Sequence, residues 1–234
     1  MSPVAATNDA DELADLVRRE LAARADPVRA TAMASYMKTD MAFYGVPKAG
    51  RAEVLRLVLR RYPIATAAEY VGAVEVLWGL PHREEKYLAI DVASNHRAHI
   101  TFAHVGLYRR LIVEGAWWDL VDGVAANCVG RVLLRERPQM GPVLERWIDD
   151  DDMWIRRSAL IAHLRHKGDT DAEQLFRHCL ARAHEKEFFI RKAIGWALRE
   201  HAKTDPEAVA AFAVAHRGEL SGLSLREATR HLDV

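Results

Sequence analysis

The run Gly115-Ala-Trp-Trp-Asp-Leu-Val-Asp122 combines two adjacent indoles with two carboxylates, and it is the best candidate in the chain for a chemical site. Trp118 and Asp122 are four residues apart. On a helix this spacing puts them on one face, so that an indole and a carboxylate would border the same small volume. The alternative is structural: Trp117 and Trp118 fill the core, and the two acids are solvated at a helix start.

Paired basic residues recur downstream, in Trp154-Ile-Arg-Arg157 and in Phe189-Ile-Arg-Lys192. If the two segments are equivalent points of stacked repeats, their basic groups line up and could form a basic stripe that matches a phosphate backbone. The alternative is that these charges are solvated or form ion pairs between repeats. The further members of such a stripe would be Arg165, Lys167, Arg199 and Lys203.

Other chemistries find little support in the sequence. His96, His99 and His104, and likewise His163 with His166, lack a nearby cysteine or obligatory carboxylate, so we predict no metal site and no cofactor. No Gly-rich phosphate loop, H-E-x-x-H or G-x-S-x-G motif is present.

Helix start signals recur along the chain and predict the elements that would position these residues. Asp26-Pro27 and Asp205-Pro206 each put a capping carboxylate before a proline at the first helical position. Ser224-Leu-Arg-Glu227 reads as a capping box before a final short helix. Apolar residues fall at spacings of three and four between these signals, and no alternating strand pattern occurs. The sequence therefore predicts an all-α fold.

A weak internal repeat indicates how the helices stack. Trp154–Leu160 and Phe189–Gly195 share a hydrophobic, hydrophobic, basic, basic, small pattern at an offset of 35 residues. Segments beginning near Glu84 and at Trp118 fall at similar intervals. Such spacing is typical of an α-solenoid of antiparallel helix pairs, here with HEAT-like repeats shorter than the usual ~40–47 residues. With no Gly-, Pro- or Ser-rich linker, we expect one domain over residues 1–234.

Composition sets the broad class. Half of the 234 residues are hydrophobic and 28% are charged, as in an ordinary globular protein. Two distant cysteines indicate neither a disulfide framework nor a thiolate metal site, and no secretory signal or membrane-length apolar stretch occurs. We expect a cytoplasmic protein. The 33 basic residues balance 33 acidic ones, so bulk charge does not argue for a nucleic-acid partner.

Several motifs in order resemble the AlkD family of HEAT-like-repeat DNA glycosylases, bacterial enzymes that repair alkylated DNA. The resemblance is most specific at Trp117–Asp122, Trp154–Ala159, Glu187–Glu200 and Leu223–Ala228, and it is weaker at Ala34–Lys38 with Phe43–Val46. It covers most of the chain from about Tyr36 onward and is poor across residues 64–110.

The resemblance implies specific roles. The family's catalytic carboxylate falls on Asp122, its cleft tryptophans on Trp118 and Trp196, and its cleft arginine on Arg157, which would hold a backbone phosphate beside the lesion. After Gly45-Val46 the family usually has an x-Pro step with paired arginines, whereas this chain has Pro47-Lys-Ala-Gly-Arg51. The DNA-binding residues expected on this basis are Tyr36, Lys48, Arg51, Arg165 and Arg199.

The implied activity is a monofunctional, metal-independent glycosylase of base excision repair, acting on 3-methyladenine and 7-methylguanine in duplex DNA. A purine alkylated at N3 or N7 is cationic and already a good leaving group. Asp122 would then stabilise the positive sugar and position water. Trp118 and Trp196 would add cation–π attraction of about 0.5–2 kcal/mol each.

The resemblance also implies a monomer that need not flip the base into a tight pocket. A non-catalytic HEAT-like scaffold that binds protein or DNA is the alternative, because a fold does not fix a function.

Overall fold

A computed structural model describes residues 3–232 of the chain, with side chains from residue 10 onward. Over this range the chain is all-helical and contains no strand, as the sequence predicts, and it fits a helical-repeat solenoid. None of the helices in the described range has the length and apolar character needed to cross a membrane.

The chain divides into two compact units, one ending at His99 and the other beginning at Ile100. The single domain expected from the sequence stays a prediction. The helices of the first unit are α1 (Pro3–Ala22), α2 (Pro27–Met37), α3 (Lys48–Arg61), α4 (Ala67–Gly79) and α5 (Arg83–Asn95).

The first unit is built around α1, α3, α4 and α5, which pack against one another. Its core is formed by apolar residues spaced three or four apart on each helix, including Val17, Leu21, Val54, Val58, Val74, Leu77 and Leu88. The loop before α3 is fixed by the buried carboxylate of Glu84, which accepts the backbone N–H groups of Tyr44, Gly45 and Val46 at 3.1, 2.8 and 3.0 Å.

The second unit contains the candidate site. Its helices are α6 (Val105–Gly115), α7 (Trp118–Val124), α8 (Gly130–Arg135), α9 (Arg137–Trp147), α10 (Met153–Ile161), α11 (Ala172–Ala181), α12 (Phe188–Ala202), α13 (Pro206–Ala215) and α14 (Gly222–Ala228). A π-helical turn, Ala125–Val129, connects α7 to α8 without a break. Helix α10 packs against α6, α7, α9 and α12, and α12 packs in turn against α11, α13 and α14.

The proposed repeat is confirmed by the positions of its two segments. Trp154 and Phe189 are each the second residue of their helices, α10 and α12, so the offset of 35 residues joins equivalent points. The following apolar residues, such as Ile155 and Ile190, are fully buried. The repeat pattern therefore reflects core packing between stacked helices.

Two of the three predicted helix starts are confirmed. Asp26 accepts a hydrogen bond from the Arg29 backbone N–H at 3.0 Å, and Asp205 accepts one from Ala208 at 3.0 Å. Each cap precedes a helix that begins with proline, where no donor is lost.

The capping box predicted at Ser224 and Glu227 is wrong. Helix α14 begins three residues earlier, and its cap is Ser221, whose hydroxyl accepts the Ser224 backbone N–H at 3.0 Å. Ser224 lies inside the helix and donates its own hydroxyl to the Arg191 carbonyl of α12 at 2.9 Å. The two serines are three residues apart, and the contact with α12 decides which of them caps the helix.

Candidate functional site

Asp122 lies one turn into α7, four residues after Trp118, which begins the helix. The shared face expected from their spacing is therefore present. The Asp122 carboxylate is largely covered, with 16% of its side chain exposed. It is thus an acid that solvent reaches only in part.

Arg157 of α10 holds this carboxylate with two parallel hydrogen bonds. Its Nε donates to Asp122 Oδ1 and its Nη2 to Oδ2, both at 2.8 Å. Its Nη1 donates to the Phe189 carbonyl at the start of α12, at 2.6 Å. Only 4% of the Arg157 side chain is exposed. One guanidinium therefore fixes the acid relative to α12 by the bidentate geometry that arginine favours.

The electrostatics of Asp122 reflect opposing effects. Burial raises the pKa of its carboxyl group, and the nearby charge of Asp119 adds to this. The hydrogen bonds and the positive charge of Arg157 act against that rise. Both carboxylate oxygens accept hydrogen bonds in this pairing, which is the geometry of the ionised form. The site thus presents a buried anion neutralised from one side.

The backbone-phosphate role expected for Arg157 stays a prediction. The Arg157 guanidinium is almost fully covered and gives three of its donors to Asp122 and Phe189, so in this structure it orients the acid.

Aromatic rings gather next to this ion pair. The ring centroids of Trp117 and Trp154 are 6.0 Å apart, and Phe189 lies 5.4 Å from Trp117 and 4.9 Å from Trp154. The Arg157 guanidinium is 5.9 Å from the Phe189 ring. Phe188, which is exposed, contacts Phe189 edge to face. From the sequence, packing was the alternative role for Trp117, but the cluster was not evident, because its members come from the residue before α7 and from α10 and α12.

Trp118 and Trp196 lie outside this cluster. Each is partly exposed, and over the described residues neither makes a ring contact with another aromatic side chain. Trp118 is joined to Asp122 by their common helix face. Trp196 is on α12, four residues after Lys192 and three before Arg199.

The basic stripe expected from the sequence consists largely of ion pairs between neighbouring repeats. Arg156 binds Glu185 through two hydrogen bonds of 2.9 and 3.0 Å, and Lys192 binds Glu227 at 2.6 Å. Arg199 also pairs with Glu227. For these residues the alternative, inter-repeat ion pairing, is the one observed.

Three further bases of the proposed stripe are exposed: Arg165, Lys167 and Lys203. Lys203 pairs with Glu200 of its own helix at 2.6 Å. Arg165 is exposed and forms no ion pair within the described part of the chain. Of the bases carried over by resemblance, Arg165 has no ion pair among the described residues, whereas Arg199 gives part of its donors to Glu227.

The other expected DNA contacts lie in the first unit. Tyr36 is exposed near the end of α2. Lys48 is the exposed first residue of α3. Arg51 is partly buried, its guanidinium 4.3 Å from the centre of the Tyr87 ring. Burial raises the pKa of the neighbouring Asp91 carboxyl, and the charges of Arg51 and Lys48 oppose that rise.

The histidines do not assemble into a metal site. Over the described residues, no group of three or more histidine, cysteine, aspartate or glutamate side chains has a geometry that could hold a metal ion.

Comparison with known proteins connects this geometry to a family. The model of a family described as "DNA alkylation repair enzyme" matches residues 17–232. The fold is similar to a solved structure described as a predicted DNA alkylation repair enzyme from Enterococcus faecalis. The TM-score is 0.82 and the sequence identity 27%, over 90% of this chain and 97% of that chain. No curated protein matches the chain significantly.

Proposed function

The chain belongs to the DNA alkylation repair enzyme family, and we propose that it is a monofunctional DNA glycosylase that hydrolyses the glycosidic bond of N3- and N7-alkylated purines in duplex DNA. The observation that carries the proposal is the Asp122 carboxylate, held by Arg157 on the helix face that also bears Trp118. An anion fixed in a partly desolvated place is suited to stabilise positive charge.

The proposed reaction uses the charge that the lesion already carries. The bond between the sugar C1′ and the base nitrogen breaks, and its electron pair moves to the base, which leaves as a neutral purine. The positive charge that develops on the sugar is stabilised by Asp122. A water oxygen then bonds to C1′, the proton of that water is released, and an abasic site remains. The indoles of Trp118 and Trp196 would face the cationic sugar or base.

Arg157 serves this chemistry by keeping Asp122 in place. Both acid oxygens are fixed before substrate arrives, so little reorganisation is needed during the reaction. The ion pair has a cost, because the guanidinium also reduces the field that Asp122 exerts on a cation. We therefore propose that the sugar approaches Asp122 on the side of the carboxylate away from Arg157.

Alkylated duplex DNA is the proposed substrate, and we propose that the protein acts as a cytoplasmic monomer without a cofactor. Tyr36, Lys48, Arg51, Arg165 and Arg199 are the proposed DNA contacts. A non-catalytic scaffold built on the same helices remains the second candidate, and it requires no function from the buried Asp122–Arg157 pair.

Asp122→Asn tests the proposal directly. The amide keeps the size of the side chain and removes its charge, so release of 7-methylguanine from methylated duplex DNA should fall by at least about a hundredfold, while affinity for DNA is nearly retained. Base release is measured by chromatography under single-turnover conditions, and affinity by fluorescence anisotropy.

The matched control is Asp151→Asn, the same chemical change at an exposed position in the loop before α10. Because Asp122→Asn leaves Arg157 without its anion, Asp122→Asn combined with Arg157→Met supplies a second inactive variant in which no charge is stranded. Base release at the wild-type rate by a folded Asp122→Asn protein would favour the scaffold.

A further inference from the structure

Helix α12 carries two cations on one stripe of its surface. Lys192, Gly195 and Arg199 follow one another at spacings of three and four, and Trp196 lies beside Gly195 between the two bases. One face of α12 thus places a proposed catalytic indole between two positive charges.

A single carboxylate from α14 bridges these cations. Lys192 Nζ lies 2.6 Å from Glu227 Oε1, and Arg199 Nη1 donates to Glu227 Oε2. The side-chain hydrogen bond from Lys192, together with that from Arg199 and the positive charge of both bases, outweighs partial burial and lowers the pKa of Glu227. The group at this position therefore has two positive charges and one negative charge.

The packing of α14 fixes the position of the carboxylate. A Cβ added at Gly195 would lie 2.4 Å from Glu227 Cβ and 2.8 Å from the Ser224 carbonyl oxygen, so α14 approaches α12 at the glycine. The Ser224 hydroxyl donates to the Arg191 carbonyl at 2.9 Å. The backbone and Cβ of Glu227 are therefore held next to the two cations by the packing of α14 on α12.

Exposure decides which side of the cluster faces a ligand. The Glu227 side chain is 15% exposed, Arg199 is 20% exposed and Lys192 is 38% exposed. The acid is therefore the most covered member. An arginine carries five N–H donors and a lysine three, so both bases retain donors beyond those given to Glu227.

We propose that Lys192 and Arg199 form one phosphate-binding subsite for the DNA backbone beside Trp196, and that Glu227 is the positioning residue that holds both cations for it. The inference rests on the proposed function and adds two residues to it, Lys192 and Glu227. A phosphate oxygen pair fits two convergent cations, and their orientation by a fixed acid reduces the entropy lost on binding.

Glu227→Gln gives a result that simple electrostatics does not predict. The variant removes a negative charge, yet it should bind duplex DNA several-fold more weakly than wild type, because the cations lose their orientation. The slope of log affinity against log salt should become shallower by about 0.9, the value for one phosphate. The control is Glu173→Gln, which removes an equal charge from an exposed partner of Arg177 and should bind as well as wild type or slightly better.

A combined variant separates positioning from a general structural role. If Glu227 acts through the two cations, then adding Glu227→Gln to the double variant Lys192→Gln/Arg199→Gln leaves DNA binding as it is in the double variant, whereas a structural defect would add to the loss. Glu227→Gln binding as tightly as Glu173→Gln, with an unchanged salt slope, would overturn the proposal. Additive losses would overturn it as well.

Lys192→Gln and Arg199→Gln test the subsite even if the Glu227 variant does not fold. If the two cations share one phosphate, each single variant and the double variant should all lower the slope of log affinity against log salt by the same ~0.9. A decrease of about twice that value in the double variant would mean two separate phosphates and would refute the subsite. Base release is measured on the same preparations. Salt-dependent DNA binding with the expected slopes, but without base release, would refute the glycosylase proposal and leave the subsite standing.

Discussion

At the scale of single residues, Arg157 determines what Asp122 can do. An unpaired acid with this degree of burial would take up a proton to avoid the cost of a desolvated charge. The two hydrogen bonds from Arg157 to Asp122 offset the cost of burying the anion. The third, to the Phe189 carbonyl, keeps the guanidinium in this orientation. The reactive charge is thus maintained by a neighbour that need not touch DNA.

Arg157→Lys should separate charge from geometry. Lysine keeps the positive charge but cannot donate in parallel to both Asp122 oxygens and also reach the Phe189 carbonyl. We expect the single-turnover rate of base release to fall on the order of a hundredfold, with DNA affinity and its salt slope little changed. Arg109→Lys is the control, because Arg109 forms an exposed single pair with Asp150 at 2.9 Å. A lower salt slope in Arg157→Lys would instead indicate a phosphate contact at Arg157.

At the scale of helices, Gly195 sets the distance between α12 and α14. Gly195→Ala forces a methyl group against the Ser224 backbone and against the Glu227 Cβ. It should destabilise the protein by about 1–3 kcal/mol. Gly72→Ala in α4 is the matched control. Its added Cβ would meet no atom within 4 Å, so this variant should be more stable by about 0.5–1 kcal/mol. Urea unfolding of both variants checks the prediction, and equal stabilisation would contradict the close approach of the helices.

The helix caps and the repeat show which features of the fold could be predicted from the sequence. The caps at Asp26 and Asp205 depend on neighbouring residues only, and the repeat in α10 and α12 is a pattern of buried positions, so both could be predicted. The cap of α14 could not, because a contact with α12 chooses between two serines.

For the candidate site, the shared face of Trp118 and Asp122 followed from helical spacing. Asp122, Arg157, Lys192 and Glu227 are separated by intervals of 35 residues, so their pairing also has a trace in the sequence. The sequence does not show which anion Arg157 binds. The sequence predicts a phosphate contact for Arg157, and the anion that the fold itself brings to its guanidinium is the Asp122 carboxylate of α7.

At the scale of the whole molecule, four buried histidines in the second unit make stability depend on pH. Burial lowers the pKa of His163 well below its ordinary value, and His166, His178 and His201 are shifted in the same direction for the same reason. The rings of His166 and His178 lie 5.5 and 6.4 Å from that of His163. Burial therefore favours the neutral form of these four side chains in the folded protein.

The sign of the effect follows from proton uptake. Below about pH 6.5 these histidines bind more protons in the unfolded chain than in the folded chain. The free energy of unfolding should therefore fall as the pH decreases. Each unit of pKa depression contributes about 1.4 kcal/mol once both states are compared well below the folded value. His163→Met should flatten the dependence between pH 6.5 and 5, whereas His184→Met, at an exposed position, should not. A parallel pH profile for His163→Met and wild type would exclude His163 as a source.

The hydrogen bond from Arg157 to the Phe189 carbonyl affects how the protein should lose activity on warming. A repeat array can fray from its end while its remaining repeats stay folded. If α12 and α14 detach first on warming, Arg157 loses one anchor and the two bases of α12 lose Glu227, although α7 and α10 keep their helical structure. Base release should then disappear at temperatures where circular dichroism still reports most of the helix, so thermal inactivation would precede melting.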